Sequence, residues 1–209
     1  MTDRIAAAAL AAFLLAAPSG WAQTTVNPTT PAPGNPATTP AGTPERKPGT
    51  PAPHQPNTSD QVFAVAAAQG GLAEVAFGKL AEARGGSDAV RDFGRQMVRD
   101  HGKANDRLAG LAKAAGIVLP REMDAEHKAI HDKLKGLTGD DFDRAYVASQ
   151  IADHQATAQL LEYEIGAGQD EDLKAFASDT LPIVFHHLQM AQGLHTEMAS
   201  TAPPVPKSK

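Results

Sequence analysis

The chain has 209 residues, of which 19 are lysine or arginine and 24 are aspartate or glutamate, so its formal net charge is −5. A mildly acidic chain lacks the basic face that neutralises phosphates, which argues against nucleic acid as a partner. The sequence contains no cysteine. This excludes disulfides, thiolate metal sites, iron–sulfur clusters, cysteine nucleophiles and a lipid-modified N-terminal cysteine.

Residues 1–22 have the pattern of a secretory signal peptide. Arg4 precedes an apolar run from Ile5 to Ala17, and small residues follow up to Ala22. The run is shorter than the about 20 apolar residues that a membrane-spanning helix needs. We therefore predict cleavage after Ala22, with a retained N-terminal anchor as the alternative. No later segment is apolar enough to cross a membrane, so we expect an exported protein of the periplasm or cell envelope, or a secreted one.

Residues 23–59 are predicted to be a disordered linker rich in proline and threonine. Ten of the sixteen prolines of the chain lie between Pro28 and Pro56. Such a segment cannot bury enough apolar surface to offset its ordering entropy, and proline favours extended conformations. The linker is either a tether to an envelope surface or the cell wall, or a tail without a partner. Residues 199–209 repeat this composition and are predicted to be a second disordered tail.

Residues 60–198 are predicted to form one all-α domain, because apolar residues recur at helical spacing and no strand-like alternation occurs. Four long helices are predicted, joined in pairs by short connections into two hairpins. The segment between the second and third long helices is long and contains a shorter amphipathic helix. Two hairpins joined by one long, partly helical crossover form a ferritin-like four-helix bundle. The predicted long helices cover residues 60–84, 87–116, 140–166 and 170–198.

Two positions in these helices carry more local predictions. Either Ser59 or Asp60 is predicted to cap the N-terminus of the first helix, since both side chains can accept backbone hydrogen bonds. Pro182 lies inside the last helix, where its missing N–H and its ring predict a kink near residues 178–182.

Each long helix carries one ionisable residue on its apolar seam. These residues are Glu74, His101, His154 and His187. At a rise of 1.5 Å per residue, all four fall near the middle of a bundle about 40 Å long. Because buried ionisable groups are costly unless paired or ligated, the pattern predicts a core metal or proton-transfer site for iron, zinc or copper. The alternative is a set of neutral histidines held by hydrogen bonds, for which Asp100, Asp153, Tyr146 and Glu74 are available.

Other features weaken the case for a known catalytic site. The Glu-x-x-His motif of di-iron bundles is absent, and the nearest pattern, Asp124-x-x-His127, lies in the crossover. The pairs His127 with His131 and His186 with Met190 each offer too few ligands for a metal. No serine–histidine–aspartate arrangement or glycine-rich phosphate loop is present. The sequence therefore favours a protein without enzymatic activity.

Short motifs across residues 60–198 resemble a known family. They are Asp60-Gln61-Val62-Phe63 with Glu74, Met97-Val98-Arg99-Asp100-His101 with Ala104-Asn105 and Leu108, Phe142-Asp143-Arg144-Ala145-Tyr146-Val147, Asp153-His154-Gln155, and Leu181-Pro182 with His187-Leu188 and Ala191. The chain resembles bacterial exported ferritin-like domains of unknown function, which are often labelled outer-membrane proteins. The resemblance implies a secreted helical bundle with matching histidines at positions 101, 154 and 187, and it brings no established reaction.

Three hypotheses for function follow from the sequence. The first is a non-enzymatic exported bundle that acts in envelope maintenance or stress tolerance. The second is a metal-binding or oxidoreductive bundle that uses Glu74, His101, His154 and His187. The third is a protein-binding module with an exposed apolar face.

Overall fold

The computed structural model describes residues 55–201, and this part of the chain is all-α. Its helices are α1 (Thr58–Arg84), α2 (Asp88–Ala114), α3 (Ala125–Lys135), α4 (Gly139–Ala167) and α5 (Glu171–Thr201). None of these helices combines the length and hydropathy of a membrane-spanning segment. The predicted signal peptide, the linker as far as residue 54 and the tail from residue 202 lie outside the described residues.

The predicted long helices and the shorter crossover helix are confirmed, with differences at their ends. Asn57 caps α1, because its side chain accepts a hydrogen bond of 2.9 Å from the backbone N–H of Asp60, whose side chain accepts from Asn57 in return. The prediction that Ser59 or Asp60 is the cap is therefore wrong. At the other end, α5 continues through Pro182 and reaches Thr201. The kink at Pro182 remains a prediction.

The helices pack around two apolar clusters. Helix α1 contacts α2 and α4, helix α5 contacts α2 and α4, and α3 contacts α1 and α4. The first cluster contains Phe77, Phe93, Met97, Phe142, Tyr146 and Ala191. The second contains Phe63, Leu108, Leu161, Leu173, Phe176 and Val184. On α2, α4 and α5, the histidine of the seam lies between members of one cluster and members of the other. On α1, Glu74 lies next to Ala73, at the edge of the first cluster. A polar layer therefore crosses the core.

Small residues allow α1 and α2 to approach each other at backbone distance. A Cβ atom added to Gly78 would lie 2.7 Å from the carbonyl oxygen of Gly94, and one added to Gly94 would lie 2.6 Å from the Cβ of Ala81. Neither position can hold a larger side chain without moving a helix. The small residues of the predicted seams thus serve close helix packing.

A buried carboxylate secures the loop of each hairpin. Asp143 on α4 accepts hydrogen bonds of 2.8 and 2.9 Å from the backbone N–H groups of residues 86–87, in the α1–α2 loop. Asp60 on α1 accepts bonds of 2.9 and 3.0 Å from residues 169–170, in the α4–α5 loop. Each hairpin therefore supplies acceptors for backbone donors of the other, which would be costly to bury unpaired.

Glu164 is fully buried at the Asp60 end of the molecule. Its carboxyl group folds back on the end of α4, where a Cβ atom on Gly168 would lie 2.4 Å from Glu164 Oε1. Burial, followed by the hydrogen bond and negative charge of Asp60, raises the pKa of Glu164 to about 8. Glu164 is consequently protonated at neutral pH.

Candidate metal centre

Three histidines from three different helices meet in the polar layer. His101 lies on α2, His154 on α4 and His187 on α5, and their ring centroids are 5.4 to 5.5 Å apart. One ring nitrogen of each lies within 4.8 Å of the others. Among residues 55–201, no other group of three or more histidines or carboxylates has a spacing that could hold a metal ion. We call these three residues the histidine triad.

Each member of the triad has a buried ring nitrogen without a hydrogen-bond partner. These atoms are Nε2 of His101, Nε2 of His154 and Nδ1 of His187. Most buried polar atoms in proteins are hydrogen-bonded, because leaving one unpaired costs free energy. Glu74, Gln150 and Asp153 also have one such atom each, so the triad is distinguished by the short spacing of its three ligand nitrogens.

Hydrogen bonds at the opposite ring nitrogens fix two of the imidazoles. Nδ1 of His154 donates to the backbone oxygen of Gln150 at 3.0 Å, and Nε2 of His187 donates to Asp100 at 3.1 Å. A neutral imidazole carries one N–H, so these bonds leave a lone pair on the unpartnered nitrogen. Metal-binding histidines are oriented in the same way, by a carbonyl or carboxylate at the second nitrogen.

Burial keeps the triad in its neutral form. It lowers the pKa of His101 to about 3 and that of His154 to about 4, and the charges of neighbouring histidines act in the same direction. The pKa of His187 is also lowered, mainly by burial, although Asp100 opposes that shift. Neutral imidazole is the form that ligates metals, so the triad is ready to bind at neutral pH without releasing protons.

Glu74, the fourth predicted site residue, lies in the same layer and outside the triad. Its Oε1 is 3.7 Å from Nδ1 of His154, and its Oε2 accepts a hydrogen bond of 2.8 Å from Gln150. Glu74 thus faces the nitrogen of His154 that already bonds Gln150. The structure brings all four predicted residues together, and the group whose spacing could hold a metal contains the histidines alone.

Glu74 belongs to a second group of side chains, which we call the carboxyl network. Its members are Glu74, Asp124, His127, Gln150 and Asp153. His127 donates to Asp124 at 2.5 Å and approaches Asp153 at 3.2 Å, which ties α3 to α4. Of these interactions, only the Asp124-x-x-His127 spacing was visible in the sequence. Gln150 and the contact from α3 to Asp153 depend on how the crossover packs against the long helices.

Neighbouring side chains shift the pKa values of three members of the carboxyl network. Burial, followed by interaction with Asp153, raises the pKa of Glu74 well above its ordinary value. Burial alone would raise the pKa of Asp153 too, but hydrogen bonds from Glu74 and His127 lower it to about 2. The hydrogen bond to Asp153, acting against burial, raises the pKa of His127 to about 9. A protonated Glu74 and a protonated His127 therefore flank an ionised Asp153.

A cleft between α2 and α5 leads to the triad. It has a volume of about 580 Å³, and both His101 and His187 line it, whereas His154 does not. Its walls are mostly apolar, and they include Ala104, Phe176, Pro182, Ile183 and Val184. Arg107 lines the same cleft, where it pairs with Asp179 at 2.8 Å and lies 5.5 Å from the centroid of the Phe176 ring.

Comparison with protein families identifies the family to which the chain belongs. The family model of a domain of unknown function, DUF4142, matches residues 45–194, which is more than half of the 209 residues. The chain belongs to this family. The match includes all three histidines of the triad. Neither a curated protein nor a solved structure matches the chain.

The resemblance found in the sequence is confirmed as membership of a family of unknown function. Its bacterial and ferritin-like parts remain predictions. The description of DUF4142 assigns no activity, so the function of this member has to be argued from the chemistry of its core.

Proposed function

We propose that this DUF4142 protein is an exported metal-binding helical bundle, in which His101, His154 and His187 hold one divalent transition-metal ion. Two observations carry the proposal: one ring nitrogen of each histidine lies within 4.8 Å of the others, and each ring has a buried nitrogen without a hydrogen-bond partner. The opposite nitrogens of His154 and His187 donate their N–H groups, so each of these rings has a lone pair for a metal ion. A metal ion would take both of these lone pairs and one from His101.

Zinc fits the donor set best, and copper and iron are the alternatives, since all three metals take imidazole ligands. Zinc–nitrogen bonds of about 2.0–2.1 Å in tetrahedral geometry would place the ligand nitrogens about 3.3 Å apart. Because the three nitrogens already lie within 4.8 Å of one another, small rotations of the rings would suffice. Three protein ligands leave a fourth coordination position for another group.

The rest of the proposal concerns architecture and location. We propose that α1–α2 and α4–α5 are the two hairpins of a ferritin-like four-helix bundle, with α3 in the crossover. The contacts of α1 with α4 and of α2 with α5 support this arrangement. The compositions of residues 1–22 and 23–59 support export and attachment to the envelope, where the protein would bind metal without catalysing a reaction.

Metal analysis of protein purified without a histidine tag tests the proposal. After incubation with zinc, copper or iron and removal of excess metal, we expect about one ion per chain and a higher melting temperature. At a metal concentration about 1,000 times Kd, binding adds about 4 kcal/mol to the free energy of unfolding. We expect His187→Ala to abolish both effects.

His195→Ala is the matched control, since His195 lies on the same helix and is exposed. We expect this variant to bind metal as the wild type does. Less than about 0.1 ion per chain in the wild type would refute the proposal, because a core site should be well occupied and should stabilise the fold. Equal metal content in His187→Ala and wild type would also refute it.

A further inference from the structure

We propose that the cleft between α2 and α5 binds a small organic carboxylate, whose carboxylate group completes the coordination of the metal ion in the triad. This inference rests on the proposed function. It adds the direction from which the fourth ligand arrives and the chemical class to which that ligand belongs.

Two of the three histidines line the cleft, and the third does not. His154 is 1% exposed and does not line the cleft. His101 is partly exposed, and it lines the cleft together with His187. A ligand that reaches the metal through this cleft would therefore approach between His101 and His187, with His154 behind the ion.

Charge balance favours an anion as that ligand. Three neutral imidazoles supply no negative charge as ligands, and the carboxylates of Asp100 and Asp153 would offset the double charge of a divalent ion only from outside the set of ligands. Asp100 already accepts a hydrogen bond from His187, and Glu74 faces the far nitrogen of His154. Neither carboxyl group faces an unpartnered nitrogen of the triad. A carboxylate oxygen is a normal fourth ligand for zinc.

The walls of the cleft favour an anion with an apolar body. Its volume of about 580 Å³ is far larger than a halide or a water molecule requires, and it falls in the range of about 300–1,000 Å³ found for small-molecule sites. Phe176, Ile183 and Val184 would contact the body of the ligand, and Lys103 also lines the cleft.

Cobalt(II) in place of the native metal makes the fourth ligand visible, because its absorption spectrum changes when a ligand is replaced. Titration of the cobalt-loaded full chain would use azide, acetate and hexanoate. We expect acetate and hexanoate both to change the spectrum, with hexanoate acting at a concentration at least roughly tenfold lower. The reason is that each methylene group buried in the cleft strengthens binding several-fold.

Two variants of α5 test the place of binding. Ile183 and Phe185 are 47% and 46% exposed, and of the two only Ile183 lines the cleft. We expect Ile183→Glu to retain cobalt and to weaken hexanoate binding at least roughly fivefold, since it places a negative charge in the cleft. Phe185→Glu should bind hexanoate as the wild type does.

The possible failures are distinguishable. If cobalt binds and neither carboxylate changes its spectrum, the inference is wrong and the metal site stands. A response to azide alone would overturn the assignment to carboxylates. Equal weakening in the two variants would overturn the place of binding. If no cobalt binds, the proposed function fails and this inference fails with it.

Discussion

The histidine triad and the carboxyl network are neighbours in one polar layer, yet their buried polar atoms differ in hydrogen bonding. In the carboxyl network, hydrogen bonds join the side chains to one another: Gln150 donates to Glu74 at 2.8 Å, and His127 bonds Asp124 and Asp153. In the triad, three buried ring nitrogens have no hydrogen-bond partner, and one nitrogen of each ring lies within 4.8 Å of the others. The first group is joined by hydrogen bonds between its own side chains, and the second is not.

This difference separates a structural role from a ligand-binding one. Hydrogen bonds between side chains of different helices stabilise one arrangement of those helices. Unpartnered groups reduce stability until a ligand satisfies them. Substitutions in the carboxyl network should therefore act on folding, whereas substitutions in the triad should act mainly on what the protein binds.

The largest effect is expected from Glu74→Leu. This change leaves the buried amide of Gln150 without its acceptor and places an apolar side chain beside the ionised Asp153, so we expect the free energy of unfolding to fall by about 3 kcal/mol. Glu74→Gln keeps a neutral, hydrogen-bonding side chain of the same size and should cost less than about 1 kcal/mol. Guanidinium unfolding of the metal-free proteins measures both.

The Glu74→Gln variant also tests whether Glu74 is one of the metal ligands. Glu74→Gln should bind metal with wild-type stoichiometry, because Glu74 lies outside the triad. A loss of metal from a folded Glu74→Gln protein would place Glu74 among the ligands and merge the two regions into one site.

A smaller loss is expected from His101→Ala. In the metal-free protein it should cost about 2 kcal/mol, since it leaves a cavity and removes packing against His154 and His187. His101→Gln should cost less because it fills more of the space. Both variants should lose the stabilisation that metal gives the wild type. Identical melting temperatures for metal-free wild type and His101→Ala would show that this side chain contributes no packing.

The smallest effect concerns pH and His127. The pKa of His127 is raised from 6.5 to about 9 in the folded protein. Folding therefore takes up a proton on His127 between these values, and its contribution is complete below about pH 6.5 and lost as pH rises through about 9.

Because the His127 side chain is partly accessible to solvent, we expect this loss to amount to roughly 1–2 kcal/mol. His127→Gln should lack it, so the wild type should lose more stability than the variant between pH 6.5 and pH 9. Guanidinium unfolding at the two pH values measures the difference. An equal loss of stability in wild type and His127→Gln would show that His127 is not charged where it links α3 to α4.

The sequence was sufficient for the helices and for the existence of the polar layer. Both follow from regular spacing, since a fixed rise per residue places Glu74, His101, His154 and His187 at similar heights. The sequence did not predict that the polar layer consists of two groups, the histidine triad and the carboxyl network. Which nitrogen of His154 faces inward depends on side-chain rotamers and on the rotation of α4, neither of which periodicity determines. The N-cap at Asn57 was missed because Ser59 and Asp60 offered equally good capping chemistry.

The junction between residue 57 and the α4–α5 loop has a mechanical consequence. The Asn57 side chain donates to the carbonyl oxygen of Ala167 at 2.9 Å, and Asp60 holds the backbone of residues 169–170. Tension applied from the N-terminal side would reach these bonds before it could unwind the first turn of α1. A force carried by the preceding chain would therefore act on both hairpins, and one hairpin would not separate from the other before these bonds break.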